Sequence, residues 1–243
     1  KNNNFVCDQT VAGTISGEQL NIGTQNNASL GTGASIAGGT LQTATSNHTF
    51  IGGGCCNTTT GNKSAVLGGI ENCSQGACGI IVGGRCHETE TTATYGFIGG
   101  GFKNCSTPTY GTVVGGQCNT LGFSGGYGFI GSGQRNCVGA AKGVIGGGEE
   151  NDVTGQFATI GGGCANQTRG KYSTVVGGIS SCAIGKASVV GGGTCNCVTG
   201  LSAFAGAGQL NKSTGDGSAI VGGSTNTASG SASFIGGGSS NIA

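Results

Sequence analysis

Acidic residues form two small clusters in this sequence, and paired carboxylates are the groups that glycoside hydrolysis requires. Glu88 lies near Glu90, and Glu149 and Glu150 lie near Asp152. A hydrolytic site needs two carboxyl groups that face one groove across about 5 to 9.5 Å. Both clusters fall in or beside turns of a short repeat, where charged side chains are ordinarily solvated. We therefore expect solvated turn tips, with a bound cation or a polysaccharide-cleaving site as alternatives.

Histidine and cysteine offer little further chemistry at the spacings present. His48 and His87 have no Ser–Asp or Cys partner in a nucleophile motif. Cys195 and Cys197 form one Cys-x-Cys pair, without the second Cys or His pair that a metal site needs. No Gly-x-x-x-x-Gly-Lys-Ser/Thr phosphate loop occurs. We expect no enzymatic activity, no cofactor and no metal.

The composition excludes several classes of protein. Of 243 residues 57 are Gly, 8% are charged, and the formal net charge is +1. So little basic charge argues against a nucleic-acid partner, and so much glycine argues against a helical domain. No apolar run approaches the ~18 residues of a membrane span, so we expect no membrane insertion. The 13 cysteines indicate an oxidising location, either extracellular or on a virion surface.

A short repeat positions all of these residues. An apolar pair followed by glycine recurs in 14 copies, spaced 14 to 16 residues apart. The second members of the pairs are Ala37, Ile51, Leu67, Val82, Ile98, Val114, Ile130, Ile145, Ile160, Val176, Val190, Ala205, Val221 and Ile235. This period is too short for a repeat that contains a helix and suits one coil of a parallel β-solenoid. The predicted fold is all-β, with about 14 coils over residues 22–243 after an irregular lead-in over residues 1–21.

A polar landmark follows each apolar pair by five or six residues. It is Asn in most coils, and Gln42, His87 and Ser181 replace it in three. We expect the asparagines to stack as a buried ladder, with glycines at the left-handed corners of the coils. The predicted ladder contains Asn57, Asn72, Asn104, Asn119, Asn136, Asn151, Asn166, Asn196, Asn211, Asn226 and Asn241.

The apolar pair predicts an exposed stripe, because adjacent residues on a strand point to opposite faces. The outward column is assigned to Phe50, Val66, Ile81, Phe97, Val113, Phe129 and Val144. A stripe of this size is larger than a monomer normally exposes, so we expect it to face other subunits. The alternative is that each pair straddles a corner and both side chains turn inward.

Cysteines alternate just before and just after the landmark residue in successive coils. We expect disulfides between neighbouring coils, with the rungs Cys56–Cys73, Cys86–Cys105 and Cys118–Cys137. The pattern continues at Cys164, Cys182, Cys195 and Cys197. The alternative is that these cysteines act as small buried hydrophobic residues. Because the total is odd, one thiol stays free or pairs between chains, and Cys7 is the expected one.

The unit Gly-x-x-Ser-x-Val-Val-Gly-Gly-x-x-Asn, seen at 61–72 and 170–181, resembles the head repeat of trimeric autotransporter adhesins (YadA-like heads). It is also similar to glycine-rich repeats in the fibres of phages and large viruses. The resemblance covers residues 22–243 and implies a left-handed β-roll in which three chains trimerise along the apolar stripe. It departs from those heads in its cysteine content and in units longer than 14 residues. No receptor-binding residue carries over.

The leading functional hypothesis is a non-enzymatic surface fibre or adhesin segment, a rigid disulfide-stapled rod. Its expected partners are copies of itself and a host surface receptor or glycan. An extracellular filament that stacks end to end is the first alternative, since the last coil stops without a polar cap. An ice-binding solenoid is the second, although threonines such as Thr58–Thr60, Thr154, Thr199 and Thr214 look scattered. A polysaccharide-cleaving tailspike, with Glu88 or Glu149 as its acid, is the third.

Overall fold

The protein is a parallel β-solenoid of about 13 turns. The computed structural model describes residues 20–21 (backbone only), 23–26, 32–122 and 126–243, and these contain strands and turns but no helix. Most of the predicted lead-in lies outside the described residues, as does Cys7. Leu20–Asn21, the end of that lead-in, already pairs with the first coil.

Contacts divide the chain into two units, Lys1–Cys118 and Asn119–Ala243. The strands of unit 1 are β1 Leu20–Asn21, β2 Ser35–Ile36, β3 Thr43–Ala44, β4 Phe50–Ile51, β5 Thr58–Thr59, β6 Ala65–Val66, β7 Cys73–Ser74, β8 Ile80–Ile81, β9 Glu88–Thr89, β10 Phe97–Ile98, β11 Cys105–Ser106 and β12 Thr112–Val113. Within unit 1, sheet 1 has the order β1-β2-β4-β6-β8-β10-β12, and sheet 2 has the order β3-β5-β7-β9-β11.

Unit 2 repeats the same arrangement. Its strands are β13 Thr120–Leu121, β14 Phe129–Ile130, β15 Cys137–Val138, β16 Val144–Ile145, β17 Asp152–Val153, β18 Thr159–Ile160, β19 Gln167–Thr168, β20 Thr174–Val175, β21 Cys182–Ala183, β22 Val189–Val190, β23 Cys197–Val198, β24 Phe204–Ala205, β25 Lys212–Ser213, β26 Ala219–Ile220, β27 Thr227–Ala228 and β28 Phe234–Ile235. Its sheet 1 contains the even-numbered strands β14 to β28, and its sheet 2 the odd-numbered strands β13 to β27.

All strand pairing is parallel and joins one coil to the next. In sheet 1 of unit 1, Ala65 pairs with Phe50 on one side and with Ile80 on the other. A third ladder of single bridges runs at one corner, for example Cys55 with Ile70. Each coil therefore makes three sets of backbone hydrogen bonds with its neighbours, which replaces the solvation that a charged surface would otherwise supply.

The core is one side chain thick between the two sheets. In sheet 1 the second residue of each strand points inward, and Ile51, Val66 and Ile98 are fully buried. The inward residues of sheet 2 are smaller, as at Ala44 and Thr59. Burying each Ile or Val of the inner column contributes about 1.5 to 3 kcal/mol relative to exposure. The inner column of sheet 1 therefore supplies most of the apolar burial.

Glycine occupies only one of the left-handed corners in a coil, which corrects the expectation for these turns. Gly69 has φ +95°, and a Cβ there would overlap the carbonyl oxygen of Gly84. The other two left-handed positions of that coil carry Lys63 (φ 58°) and Glu71 (φ 57°). A non-glycine residue pays about 1 to 2 kcal/mol in this conformation. Hydrogen bonds between coils hold it there, such as that from Glu71 N–H to the Cys55 carbonyl at 2.9 Å.

Candidate functional site: the outer faces of the coils

The asparagine column bonds mainly to backbone. Asn57 Oδ1 accepts the N–H of Asn72 at 3.0 Å, and Asn57 Nδ2 donates to the carbonyls of Gly53 at 3.0 Å and Gly69 at 2.9 Å. The structure buries Asn57, Asn72, Asn104, Asn119, Asn136, Asn151, Asn166, Asn196, Asn211 and Asn226 and leaves Asn241 exposed. Direct bonds between successive side-chain amides occur only at some steps, such as Asn151 Nδ2 to Asn136 Oδ1 at 3.1 Å. These side chains hold coils together and offer nothing to a ligand.

His87 takes the place of asparagine in one coil and is buried with it. Its Nδ1 accepts the N–H of Asn104 at 3.1 Å, so the neutral ring carries its proton on Nε2. Nε2 itself is buried without a hydrogen-bond partner. Burial lowers the pKa of His87 below its ordinary value. The ring is a ladder member and has no carboxylate or thiol within hydrogen-bonding reach, as a catalytic base would require.

The outward stripe predicted from the sequence is wrong at three positions. Val66, Ile81 and Val113 are fully buried in the inner column of sheet 1. Phe50 and Phe129 are exposed, and Phe97 and Val144 are half-buried. The cause is that an apolar residue also follows the strand in some coils, so that the visible pair there is the inner residue plus its outer successor. This shift also produced the apparent steps of 14 and 16, where ladder residues are spaced 15 or 17 apart.

Two columns of outward residues form the true apolar face, which we call the outer face of sheet 1. In unit 1 the columns are Ser35, Phe50, Ala65, Ile80, Phe97 and Thr112, and Ala37, Gly52, Leu67, Val82, Gly99 and Val114. In unit 2 they are Phe129, Val144, Thr159, Thr174, Val189, Phe204, Ala219 and Phe234, and Gly131, Gly146, Gly161, Val176, Gly191, Gly206, Val221 and Gly236.

The two columns of this face compensate each other in size. Phe97 extends its ring to within 3.5 Å of the point that a Cβ of Gly99 would occupy, and Phe204 does the same over Gly206 at 3.3 Å. Where the first column is small, the second carries Leu or Val: Leu67 follows Ala65 and is 48% exposed. Alternating large and small residues in this way keeps an apolar surface level. A level apolar surface is suited to close packing against another surface.

A column of open glycines borders the same face. A Cβ at Gly53 or Gly68 in unit 1, or at Gly177 or Gly192 in unit 2, would meet no atom within 4 Å. None of these glycines has a positive φ, and Ala207 takes the same place in another coil. Neither the backbone nor the packing of the single chain therefore requires glycine here. Close approach by something outside the chain is a physical reason for it.

The two acidic clusters do not form a shared site. Arg135 donates to Glu149 Oε1 at 2.7 Å and approaches Glu150 Oε1 at 3.0 Å, on an exposed corner. Asp152 lies on the outer side of sheet 2, where partial burial raises the pKa of its carboxyl. In the other cluster Glu88 Oε1 accepts from Gln75 Nε2 at 2.9 Å. Within the described ranges no group of three His, Cys, Asp or Glu residues is arranged to hold a metal ion.

One disulfide is present, between Cys182 and Cys197, whose Cα atoms are 4.7 Å apart. These two are direct strand partners in sheet 2 of unit 2. The thiols of Cys55, Cys56, Cys73, Cys78, Cys86, Cys105, Cys118, Cys137, Cys164 and Cys195 are free. The rungs Cys56–Cys73, Cys86–Cys105 and Cys118–Cys137 are not formed in this structure. A cysteine before the landmark lies at a corner and one after it lies on a strand, so only residues in the same column align between coils.

The strand cysteines of sheet 2 alternate with polar residues. Cys73 and Cys105 both pair with Glu88, and Cys137 pairs with Asp152. Burial, with a smaller contribution from Glu90 and Glu88, raises the pKa of the Cys105 thiol to about 11. A thiol with so high a pKa is almost entirely protonated at neutral pH and is a poor nucleophile.

Threonines are less scattered than the sequence suggested. The outward position after the strand in sheet 2 carries Thr45, Thr60 and Thr107 in unit 1, and Thr154, Thr199 and Thr214 in unit 2. Gln75 and Glu90 interrupt the column in unit 1, as Arg169 and Ile184 do in unit 2. The regular array is therefore only two coils long in each unit.

Aromatic and basic side chains stack at one left-handed corner, a feature that the sequence analysis missed. Tyr95 and Tyr110 stack with ring centroids 5.0 Å apart in unit 1. In unit 2 Lys142 Nζ lies 4.8 Å from the ring centroid of Phe157, which contacts Tyr172 at 5.1 Å. The signal was available in the sequence, because these aromatic pairs are 15 residues apart, one coil length. Since ring faces are covered by neighbouring rings or by lysine, they stabilise the corner and leave little platform for a ligand.

Comparison with known proteins adds no assignment, since neither a protein-family model nor a curated protein matches the chain. The described part of the chain has no helix of the length and apolarity that crossing a membrane requires.

Proposed function

We propose that this chain is a segment of a non-enzymatic extracellular or virion-surface fibre, in which copies of the chain associate through the outer face of sheet 1. The observation that carries the proposal is the level apolar face together with its border of glycines that the single chain does not require. Homotrimerisation, as in the adhesin heads that the repeat resembles, is the form of association we favour.

The exposed area of this face supports an association between copies. In unit 1 Phe50, Ile80, Val82 and Val114 are each at least 40% exposed, and in unit 2 Val176 and Phe234 exceed that value. A soluble monomer seldom leaves so many neighbouring apolar side chains in water. A partner with the same periodicity places one coil opposite each coil, so a second copy matches the face along its length.

The other surfaces support a structural role. The carboxylates are solvated or engaged with Arg135, and the polar ladder is consumed by the backbone. Attachment to a host receptor or a glycan is the role we propose for the assembled fibre.

Self-association is tested by paired variants on the two sheets of unit 2. Val176→Lys places a charge on the outer face of sheet 1, and Ile184→Lys places the same charge on the outer face of sheet 2. Both positions are exposed, at 59% and 38%, so neither variant disturbs the core. We expect analytical ultracentrifugation to show a smaller assembly for Val176→Lys and no change for Ile184→Lys. Equal masses for both variants and the native chain would contradict the assignment of this face.

An ice-binding role is the second candidate, supported by the threonine columns of sheet 2. Thr43, Thr45, Thr58 and Thr60 place four outward hydroxyl groups on two adjacent coils of unit 1. The columns end at Cys73 and Gln75, which makes the array smaller than the outer face of sheet 1. Thermal hysteresis that disappears in Thr60→Leu would favour this role over the fibre.

A further inference from the structure

Cys55 and Cys56 hold their two thiols in direct contact, with the Sγ atoms 2.9 Å apart. Both side chains are partly exposed at the corner that follows Gly54 in unit 1. Neither belongs to the outer face of sheet 1. The sequence analysis had assigned Cys56 to a bond with Cys73, which lies on a strand of sheet 2.

The backbone at this corner is fixed by hydrogen bonds to both neighbouring coils. Cys55 N–H donates to the Gly69 carbonyl at 3.0 Å, and Cys56 N–H donates to the Thr40 carbonyl at 3.0 Å. The next residue, Asn57, is a buried ladder member. Cys56 also has a φ of 58°, which the neighbouring coils maintain. The two thiols are therefore held adjacent by the fold.

Other thiols are poorly placed to compete. The residue aligned with Cys56 in the next coil is Glu71, and the cysteine one coil further on, Cys86, donates its S–H to Glu71 Oε2 at 3.1 Å. Arg85 Nε also lies 3.4 Å from the same carboxylate oxygen. Contact with the Cys55 thiol raises the pKa of Cys56, so its S–H is retained at neutral pH as a hydrogen-bonded pair.

We propose that Cys55 and Cys56 form a two-electron redox pair, which a small-molecule disulfide oxidant closes into a vicinal disulfide and which binds a trivalent arsenical in its dithiol form. One cysteine, as the thiolate, attacks the S–S bond of the oxidant and releases one thiol. The second cysteine loses its proton, attacks the mixed disulfide and releases the second thiol. Two S–H bonds of the protein and one S–S bond of the oxidant are lost, and one protein S–S bond and two S–H bonds are formed.

This pair differs in consequence from the Cys182–Cys197 bond. A bond between coils closes a loop of about 15 residues and stabilises the fold by restricting the unfolded chain. A bond between adjacent residues closes no such loop. The Cys55–Cys56 pair therefore changes the chemistry of the corner, from a soft bidentate ligand to an unreactive cross-link, without stapling coils.

The oxidation is tested by peptide mapping of the whole folded chain. The chain is incubated with oxidised glutathione, its remaining thiols are alkylated, and it is cleaved with chymotrypsin and trypsin. Cleavage after Phe50 and Lys63 releases the peptide 51–63, whose only cysteines are Cys55 and Cys56. We expect this peptide to carry no alkyl group and to lack two hydrogen atoms relative to the dithiol. A doubly alkylated peptide, or one linked to another peptide, would overturn the proposal.

Binding of phenylarsine oxide to the reduced pair provides a second measurement. The native chain and Cys78→Ser, a control at another corner, are expected to bind one equivalent more than Cys55→Ser or Cys56→Ser. Circular dichroism of all variants establishes that they fold. Equal binding by folded Cys55→Ser and the native chain would contradict the paired thiols.

Discussion

At the residue scale, the buried asparagine of each coil makes three hydrogen bonds that no other side chain reproduces. Its Oδ1 takes one backbone N–H of the next coil, and its Nδ2 serves one glycine carbonyl within the coil and one in the next. Each such bond contributes about 0.5 to 1.5 kcal/mol net. The three coils with Gln42, His87 or Ser181 at this place are consequently the weak points of the ladder.

Ser181 is the clearest of these weak points, because its hydroxyl accepts from Asn196 N–H at a long 3.3 Å. It has no amide to donate to the carbonyls of Gly177 and Gly193, which an asparagine would reach. We expect Ser181→Asn to raise the free energy of unfolding by about 1 to 2 kcal/mol, measured by urea denaturation. The reciprocal control, Asn166→Ser, should lower it by a similar amount or more. A neutral Ser181→Asn would mean that the Nδ2 bonds add nothing.

His87 makes the fold sensitive to acid. Its folded pKa is lowered by burial, while the unfolded chain has the ordinary value of about 6.5. Between the folded pKa and about 6.5 the unfolded chain binds a proton that the native chain does not, so stability falls with decreasing pH. Stability from this residue is complete above about pH 6.5, and the loss approaches about 1.4 kcal/mol per pH unit within that window.

We expect His87→Asn to remove this dependence and to restore the ladder. Asn119 shows that asparagine fits a coil of this length, since its Nδ2 reaches Gly133, 14 residues on, at 2.9 Å. The measurement is the difference in unfolding free energy between pH 7.5 and 5.5, with the exposed His48→Asn as control. An unchanged pH dependence in His87→Asn would exclude His87 as its source.

At the element scale, the coil tolerates a side chain at most corners and rejects it at one. Gly177 and Gly178 are adjacent, yet a Cβ meets nothing at Gly177, whereas at Gly178 it overlaps the Gly193 carbonyl oxygen. Gly178 also has φ +100°. Composition alone could not separate these two glycines, because both belong to the same repeated Gly-Gly pair.

The adjacent glycines provide a matched pair of variants. We expect Gly178→Ala to destabilise the chain by about 2 to 4 kcal/mol, from backbone strain and overlap with the next coil. Gly177→Ala should stay within about 0.5 kcal/mol of the native chain. Urea unfolding at low protein concentration measures both. Similar losses in the two variants would show that the open position is also constrained within the chain.

The repeat made the element scale the most predictable one. A 15-residue period with glycine and asparagine at fixed places indicates a solenoid, and the coils follow it. The side-chain direction within each apolar pair could not be read from the pair alone. Val66–Leu67 and Phe97–Ile98 look equivalent, but the inward residue is the first in one and the second in the other. Only alignment on the asparagine landmark separates them, since Val66 and Ile98 each lie six residues before it.

Cysteine pairing failed as a prediction for the same geometric reason. Proximity of successive coils is necessary for a disulfide, but the two cysteines must also share a column. Cys182 and Cys197 do, and among the described cysteines in successive coils only this pair aligns on a strand. The contact of Cys55 with Cys56 was not foreseen, because it arises from side-chain directions at a corner and not from the repeat.

At the scale of the whole molecule, the outer face of sheet 1 gives the chain a reason to associate with copies of itself. Apolar side chains that are size-matched between two columns, next to glycines with open space, suit a surface covered by protein. A fibre segment needs this property more than it needs a pocket. The absence of sequence relatives among characterised families leaves the physical surface as the main guide to its role.

The mass of the native chain in solution tests this account most directly. Sedimentation equilibrium should be measured over a range of concentrations, with and without a reductant. We expect a stable assembly of three 23.2 kDa chains that persists in reductant, because the outer face of sheet 1 contains no cysteine. A chain that remains a 23.2 kDa monomer at every concentration would contradict the proposed interface and the fibre assignment with it.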